Sequence, residues 1–233
     1  MKRGLRTIWV LIVLLLPMAT ANASDVPEYI IKQCREKAQN MKLTTVTYKF
    51  GKLILDNAKS TAQVRRMCHS ESAAGCFVHT TANYKYGVTN TEKISIGRYT
   101  CFAPKLYVNY SWTDTFIYMT KEYNPCQRRV VLRHELQHFT IWKTAQNNIL
   151  IESKRALKQL ALDNIRIVPA KDNLEPAGSV FDTIALVGQK IGDINRKWNS
   201  IAKSNNALLD QVDHNMETEV SYRVCMPYSV ELL

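Results

Sequence analysis

Within Val130–Trp142, the stretch VVLRHELQHFTIW, His134, Glu135 and His138 form the pattern H-E-x-x-H. On a helix, positions i and i+4 stand on one face a turn apart, so His134 and His138 aim two imidazoles at one ion. Glu135 projects beside them, where a carboxylate takes a proton from a metal-coordinated water. Zinc is the metal this pattern calls for, at one ion per chain. It lowers the pKa of its water to about 7, so hydroxide becomes available near neutrality. Two imidazoles do not complete such a site, because a catalytic zinc takes three protein ligands and keeps one position open.

The elements that must carry these residues change character near residue 124. Before it lie short runs rich in Val, Ile, Thr and Tyr, bounded by Gly, Asn, Asp and Pro: 43–50, 52–55, 76–81, 92–97, 105–112 and 115–120. Such runs predict strands, and YVNYSW-TD-TFIYM predicts a hairpin turning at Thr113-Asp114. A leading helix is expected over 28–41. After residue 124 the pattern is helical. Asn124 is the expected N-cap and Pro125 the first helical residue, where a missing N–H costs nothing. That helix is expected to run to about Ile165, before Pro169, Pro176 and Gly178 interrupt. A second helix begins at Val180, with Val180, Ile184, Val187, Ile191, Ile194, Trp198, Ile201, Leu208 and Val212 as its apolar seam and Asn205 in the gap. Gly188 and Gly192 weaken this helix and invite a kink. The expected fold is α+β: a β-rich half (42–120) with antiparallel strands, then a long antiparallel helical hairpin (125–224) carrying the motif.

A hairpin of two long helices brings residues 205–220 opposite 134–138. The segment DQVDHNMETEVSY (210–222) is rich in candidate ligands, of which Asp213, His214, Glu217 and Glu219 fall in that window. Relative to Val212, Met216 and Val220, Asp213 and Glu217 lie on one flank of the apolar face and Glu219 on the other, while His214 points away. The carboxylates therefore outrank His214 as third ligand. Carboxylates that do not bind the ion are expected to hold the imidazole N–H groups. Glu152 falls on the right face of the first helix but lies about 21 Å along it from His138, and Asp163 is farther. His214, Tyr222 and Tyr228 are candidate donors to a developing oxyanion.

The motif and its setting resemble the zincin class of metallopeptidases, in which the H-E-x-x-H helix packs beneath a twisted sheet. More loosely, the signal peptide, the C-x7-H-E-x-x-H spacing from Cys126 and the long C-terminal helices are similar to secreted bacterial zinc-dependent proteases of unassigned substrate, a likeness that covers about 110–233. The extended form H-E-x-x-H-x-x-G-x-x-H is absent, since Ile141 and Thr144 stand where it needs Gly and His. The resemblance implies peptide or amide hydrolysis, with Glu135 as general base. By likeness to glutamate-ligated zincins it favours Glu217 as third ligand, Glu219 and Asp213 being the alternatives. It also implies a substrate gripped along a sheet edge, with the 105–120 hairpin as the candidate.

The N-terminus reads as a targeting signal. Residues 1–23 read as a secretory signal: Lys2, Arg3 and Arg6, then IWVLIVLLLPMAT, then Ala-x-Ala ending at Ala21 or Ala23. An uncleaved anchor is opposed by Pro17 and the Ala-rich end. The remaining residues, 24–233, are expected to form one domain with no further transmembrane span, exported to a periplasm or the exterior. Six cysteines suit that oxidising setting. Cys68–Cys76 would close the short loop CHSESAAGC, and Cys126–Cys225 would join the outer ends of the two helices. The formal charge of +11 falls to about +8 without the signal's three basic residues. This basic surface favours anionic envelope components. Its Lys and Arg are scattered without interleaved aromatics, so nucleic acid is not the expected partner. The expected substrate is a peptide or protein. The competing reading is a non-catalytic, disulfide-stabilised binding protein of the cell envelope.

Overall fold

The computed structural model describes residues 26–69, 75–79, 82–171 and 179–225, except the side chains of 179 and 213–224. It is α+β. In chain order the elements are α1 (Glu28–Gln39), β1 (Thr44–Lys49), β2 (Leu53–Lys59), α2 (Thr61–Cys68), β3 (Gly75–Val78), β4 (Ala82–Ile96), β5 (Tyr99–Trp112), β6 (Thr115–Thr120), α3 (Pro125–Asp163), β7 (Arg166–Pro169) and α4 (Ser179–Cys225).

The strands form two mixed sheets, one ordered β1-β5-β4 with β7 also on β5, the other β2-β6-β3. β4 and β7 are antiparallel to β5, as β3 is to β6, whereas β1 and β2 run parallel to β5 and β6. The antiparallel strands expected are present in three pairings, joined by two parallel ones, and the hairpin at Thr113-Asp114 is corrected. β5 and β6 do not pair. They are successive lengths of one central path, flanked by β1 then β2 on one side and β4 then β3 on the other. Pairing keeps the same offset through the break, with Lys49 opposite Ser111 before it and Leu53 opposite Thr115 after it. Gly51 explains the break. A methyl there would fall 1.9 Å from the Thr113 carbonyl oxygen, and the Lys52 N–H donates to Asp114 Oδ1 at 2.8 Å. The two crossings therefore lie against each other, and Asp114 serves the neighbouring strand instead of a turn.

The alternation of β5 puts Leu106, Val108, Tyr110 and Trp112 on the helix-covered face, each at most 4% exposed. Ile149 and Leu157 of α3 and Val187 and Ile191 of α4 complete this core, all fully buried. Each such side chain contributes roughly 1.5–3 kcal/mol. A bond between Cys34 and Cys101 pins α1 to β5. α3 starts where the sequence predicts: Asn124 Oδ1 accepts from the Cys126 and Gln127 amides at 2.9 Å each, and Gln127 Oε1 accepts from the Asn124 N–H at 3.0 Å.

α4 runs unbroken from Ser179 to Cys225, through both of its glycines. Gly188 receives the Tyr86 ring, whose hydroxyl oxygen would lie 2.4 Å from an added methyl. Contacts between α3 and α4 run in opposite order along the chain: Cys126 with Cys225, His138 with Asn206, Glu152 with Lys197. The expected seam holds at Val187, Ile191, Ile194 and the half-buried Trp198 and then fails. Ile201, Leu208 and Val212 are exposed, while Ala202 is buried and Asn206 half-buried. A strict 3.5-residue stripe drifts around a straight 3.6-residue helix, and by residue 202 it has left the contact line with α3.

Candidate metal centre

α3 passes beneath β3, the edge of the smaller sheet, with its motif facing α4. Phe77 of β3 lies parallel to the His138 ring, centroids 6.3 Å apart. One turn further along, His79 stacks on Trp142 at 3.8 Å. Trp142, Ala145 and Ala202 form a small buried cluster below the motif. Burial in the first place, and the Lys203 charge in the second, hold His79 below its ordinary pKa, which keeps that ring neutral against the indole.

The two motif imidazoles meet as the i, i+4 spacing predicts. His134 Nε2 and His138 Nε2 are 2.9 Å apart, with the rings nearly perpendicular. Asp210 of α4 brings Oδ1 to 3.0 Å from His138 Nε2 and 3.5 Å from His134 Nε2. Ligand atoms of all three residues lie within 4.8 Å of one another. His138 is buried, and Asp210 keeps 60% of its side chain exposed, so the cluster opens toward solvent on the α4 side. Glu135 is 5% exposed. It lies under the start of β3, where a methyl on Gly75 would stand 3.6 Å from Glu135 Oε1.

This donor set fits zinc. Tetrahedral bonds of about 2.0–2.1 Å put ligand atoms roughly 3.3 Å apart, close to the three separations here. The second nitrogen of His138 is also accounted for. Nδ1 lies 2.5 Å from Asn206 Oδ1, and Asn206 Nδ2 donates to the Ala202 carbonyl at 2.7 Å. Two imidazole nitrogens and a carboxylate oxygen crowded together repel unless a proton or a cation lies among them.

The sequence therefore anticipates His134, Glu135 and His138, while Asp210 and Asn206 were missed. Their signal was an i, i+4 polar pair, N-x-x-x-D, answering H-x-x-x-H on the facing helix. A seam through Leu208 and Val212 turns Asp210 away and hides that signal. The side chains of Asp213, His214, Glu217, Glu219 and Tyr222, and all of Tyr228, lie outside the described residues. Glu152 stays remote from the motif, as its helical distance requires. It binds Lys197 at 2.6 Å, and that hydrogen bond holds its carboxyl below the usual range. Both anticipated disulfides, Cys68–Cys76 and Cys126–Cys225, are present, and Cys34–Cys101 is the third. The edge expected of the 105–120 segment is corrected, since β5 and β6 are interior strands. Among the described residues, no helix is long and apolar enough to cross a membrane. Searches of protein-family models, curated proteins and solved structures each returned no match to this chain.

Proposed function

We propose that this protein is an exported zinc-dependent hydrolase of the zincin type, a metallopeptidase that cleaves peptide or amide bonds. One observation carries the reading: two Nε2 atoms and a carboxylate oxygen converge within 4.8 Å, beside a buried glutamate on the same helix. His134, His138 and Asp210 would hold the ion. Asp213, Glu217 and Glu219, on the next turns of α4, remain alternative carboxylates for the third position. The reverse-order contacts of α3 and α4 support an antiparallel helical hairpin as the frame. Three disulfides support export into an oxidising compartment, and the basic surface suits anionic envelope components there.

Zinc held there would supply Lewis acidity toward the scissile carbonyl and an acidified water. Glu135 would serve as general base, its carboxylate taking a proton from the attacking water and passing it to the departing amine. Its burial beneath β3 shields the carboxylate from bulk water and strengthens its interactions with nearby charge. β3 is the edge strand above α3, so an extended substrate would pair with its backbone. His214 and Tyr222 are retained as candidate donors to the developing oxyanion.

Mature protein purified without chelators should carry about one zinc per chain. His134→Ala and Asp210→Ala should lose it, whereas Glu135→Gln should keep zinc and lose hydrolysis of a fluorogenic peptide library. Retention of zinc by Asp210→Ala with loss in Glu217→Gln would move the third ligand to Glu217. Zinc without hydrolysis would favour the envelope binding protein, and wild-type protein without zinc would refute the metal site.

A further inference from the structure

We infer that Asn206 is a positioning residue for the metal centre: it fixes His138 as the Nδ1–H tautomer and so keeps the Nε2 lone pair turned toward His134 and Asp210. The inference rests on the metal reading for its purpose, but its geometry stands in the protein alone.

The argument begins with the amide. Asn206 Nδ2 donates to the Ala202 carbonyl one turn back on α4, at 2.7 Å. Turning the amide over would set Oδ1 against that carbonyl, oxygen to oxygen, so the orientation is determined. Oδ1 then faces His138 Nδ1 at 2.5 Å. An amide oxygen only accepts, so Nδ1 must carry a proton. In the neutral imidazole the other nitrogen is then an acceptor. That nitrogen, Nε2, is the one 2.9 Å from His134 Nε2 and 3.0 Å from Asp210 Oδ1.

The environment maintains this choice. His138 is 7% exposed, and Ala202, which anchors the amide, is 1% exposed, so water does not readily replace either contact. Phe77 lies parallel to the ring and limits its tilt. α4 thus answers the histidine pair with a pair of its own. Asp210 supplies the third donor, and Asn206, one turn earlier, orients the ring that bears the second. A hydrogen bond of this kind fixes the tautomer and orientation of a ligating histidine and raises its basicity.

The competing account is the Nε2–H tautomer, its proton shared with Asp210, in which Asn206 only packs against an unprotonated Nδ1. Two-bond nitrogen–proton correlation spectra of the wild-type protein separate the two. A proton on Nδ1 is the expected result. An unprotonated Nδ1 would overturn the inference whether or not the protein binds zinc. Zinc affinity by chelator competition provides the second arm. Asn206→Leu, similar in size but without the acceptor, should bind zinc roughly 10–100-fold more weakly. Asn206→Asp, which keeps the acceptor, should stay within about threefold of wild type under the same principle. A Leu variant that binds like wild type, or an Asp variant as weak as Leu, refutes the positioning role. Wild-type protein that binds no zinc refutes the proposed function and leaves the tautomer measurement to decide this one.

Discussion

Gly75 is where the fold of the β half meets the motif, and replacing it by alanine tests that meeting. A methyl built there would lie 2.5 Å from Val131 Cγ1, 3.3 Å from the Tyr118 carbonyl oxygen and 3.6 Å from Glu135 Oε1. Carbon atoms pack at about 3.5–4.0 Å, so β3 must lift or Val131 must retreat by about an ångström. Overpacking of this kind costs about 1–3 kcal/mol, which for a chain of this size is a fall in midpoint of roughly 3–10 °C. Val131→Ala removes the offending atom from a half-buried position and costs about 1 kcal/mol by itself. In that background Gly75→Ala should cost under about 0.5 kcal/mol, leaving a coupling of about 0.5 kcal/mol or more. Urea denaturation of the four proteins measures this cycle, with unchanged m-values as the check that the unfolded state is common. Gly75→Ala should also cut peptide hydrolysis with zinc retained, because lifting β3 uncovers Glu135. An alanine variant as stable as wild type, or a loss that Val131→Ala does not relieve, would refute the docking of β3 on α3.

The disulfides should contribute in order of the loops they close. Cys126–Cys225 spans 99 residues and Cys68–Cys76 spans 8, so chain entropy assigns about 4–5 and roughly 2–3 kcal/mol, readable from urea midpoints of the two Cys→Ser pairs. Tyr110→Phe should cost about 1–3 kcal/mol by chemical denaturation. It removes the 2.7 Å partner of Ser153 Oγ, at a residue with no exposure, and Ser153→Ala should recover part of that loss. His79 has its pKa lowered by burial and by Lys203. Its stabilising contribution is therefore complete above the unfolded value near 6.5 and is lost as pH falls through the lower folded value. His79→Phe, which keeps a ring on Trp142, should flatten the decline of thermal midpoint between pH 7 and 5.

How much was legible follows from the range of the interactions involved. The start of α3 was readable because a cap and its capping box act within four residues. So were the motif pair, fixed by helical spacing, and two of three disulfides. The third, Cys34–Cys101, joins a helix to a strand 67 residues later, and no local pattern marks such a partner. α2 and β7 were missed for related reasons. The first is only eight residues long, and the second is a strand because the β5 edge at Tyr99–Phe102 is there to pair with it.

The sequence by itself determined that two imidazoles and a carboxylate share a turn of one capped helix, since backbone geometry alone places them. It also determined that a second long helix follows a breaker and can return across the first. Which residues that helix presents was decided only by tertiary packing. The sheet core fixes how α4 is rotated, through Tyr86 against Gly188 and through Val187 and Ile191 in the buried face. That rotation turns Leu208 and Val212 to solvent and brings Asn206 and Asp210 to the histidines. An apolar stripe gives a helix's facing angle only to within its own width, about a third of a turn or more. That is one residue position, enough to separate Asp210 from its neighbours.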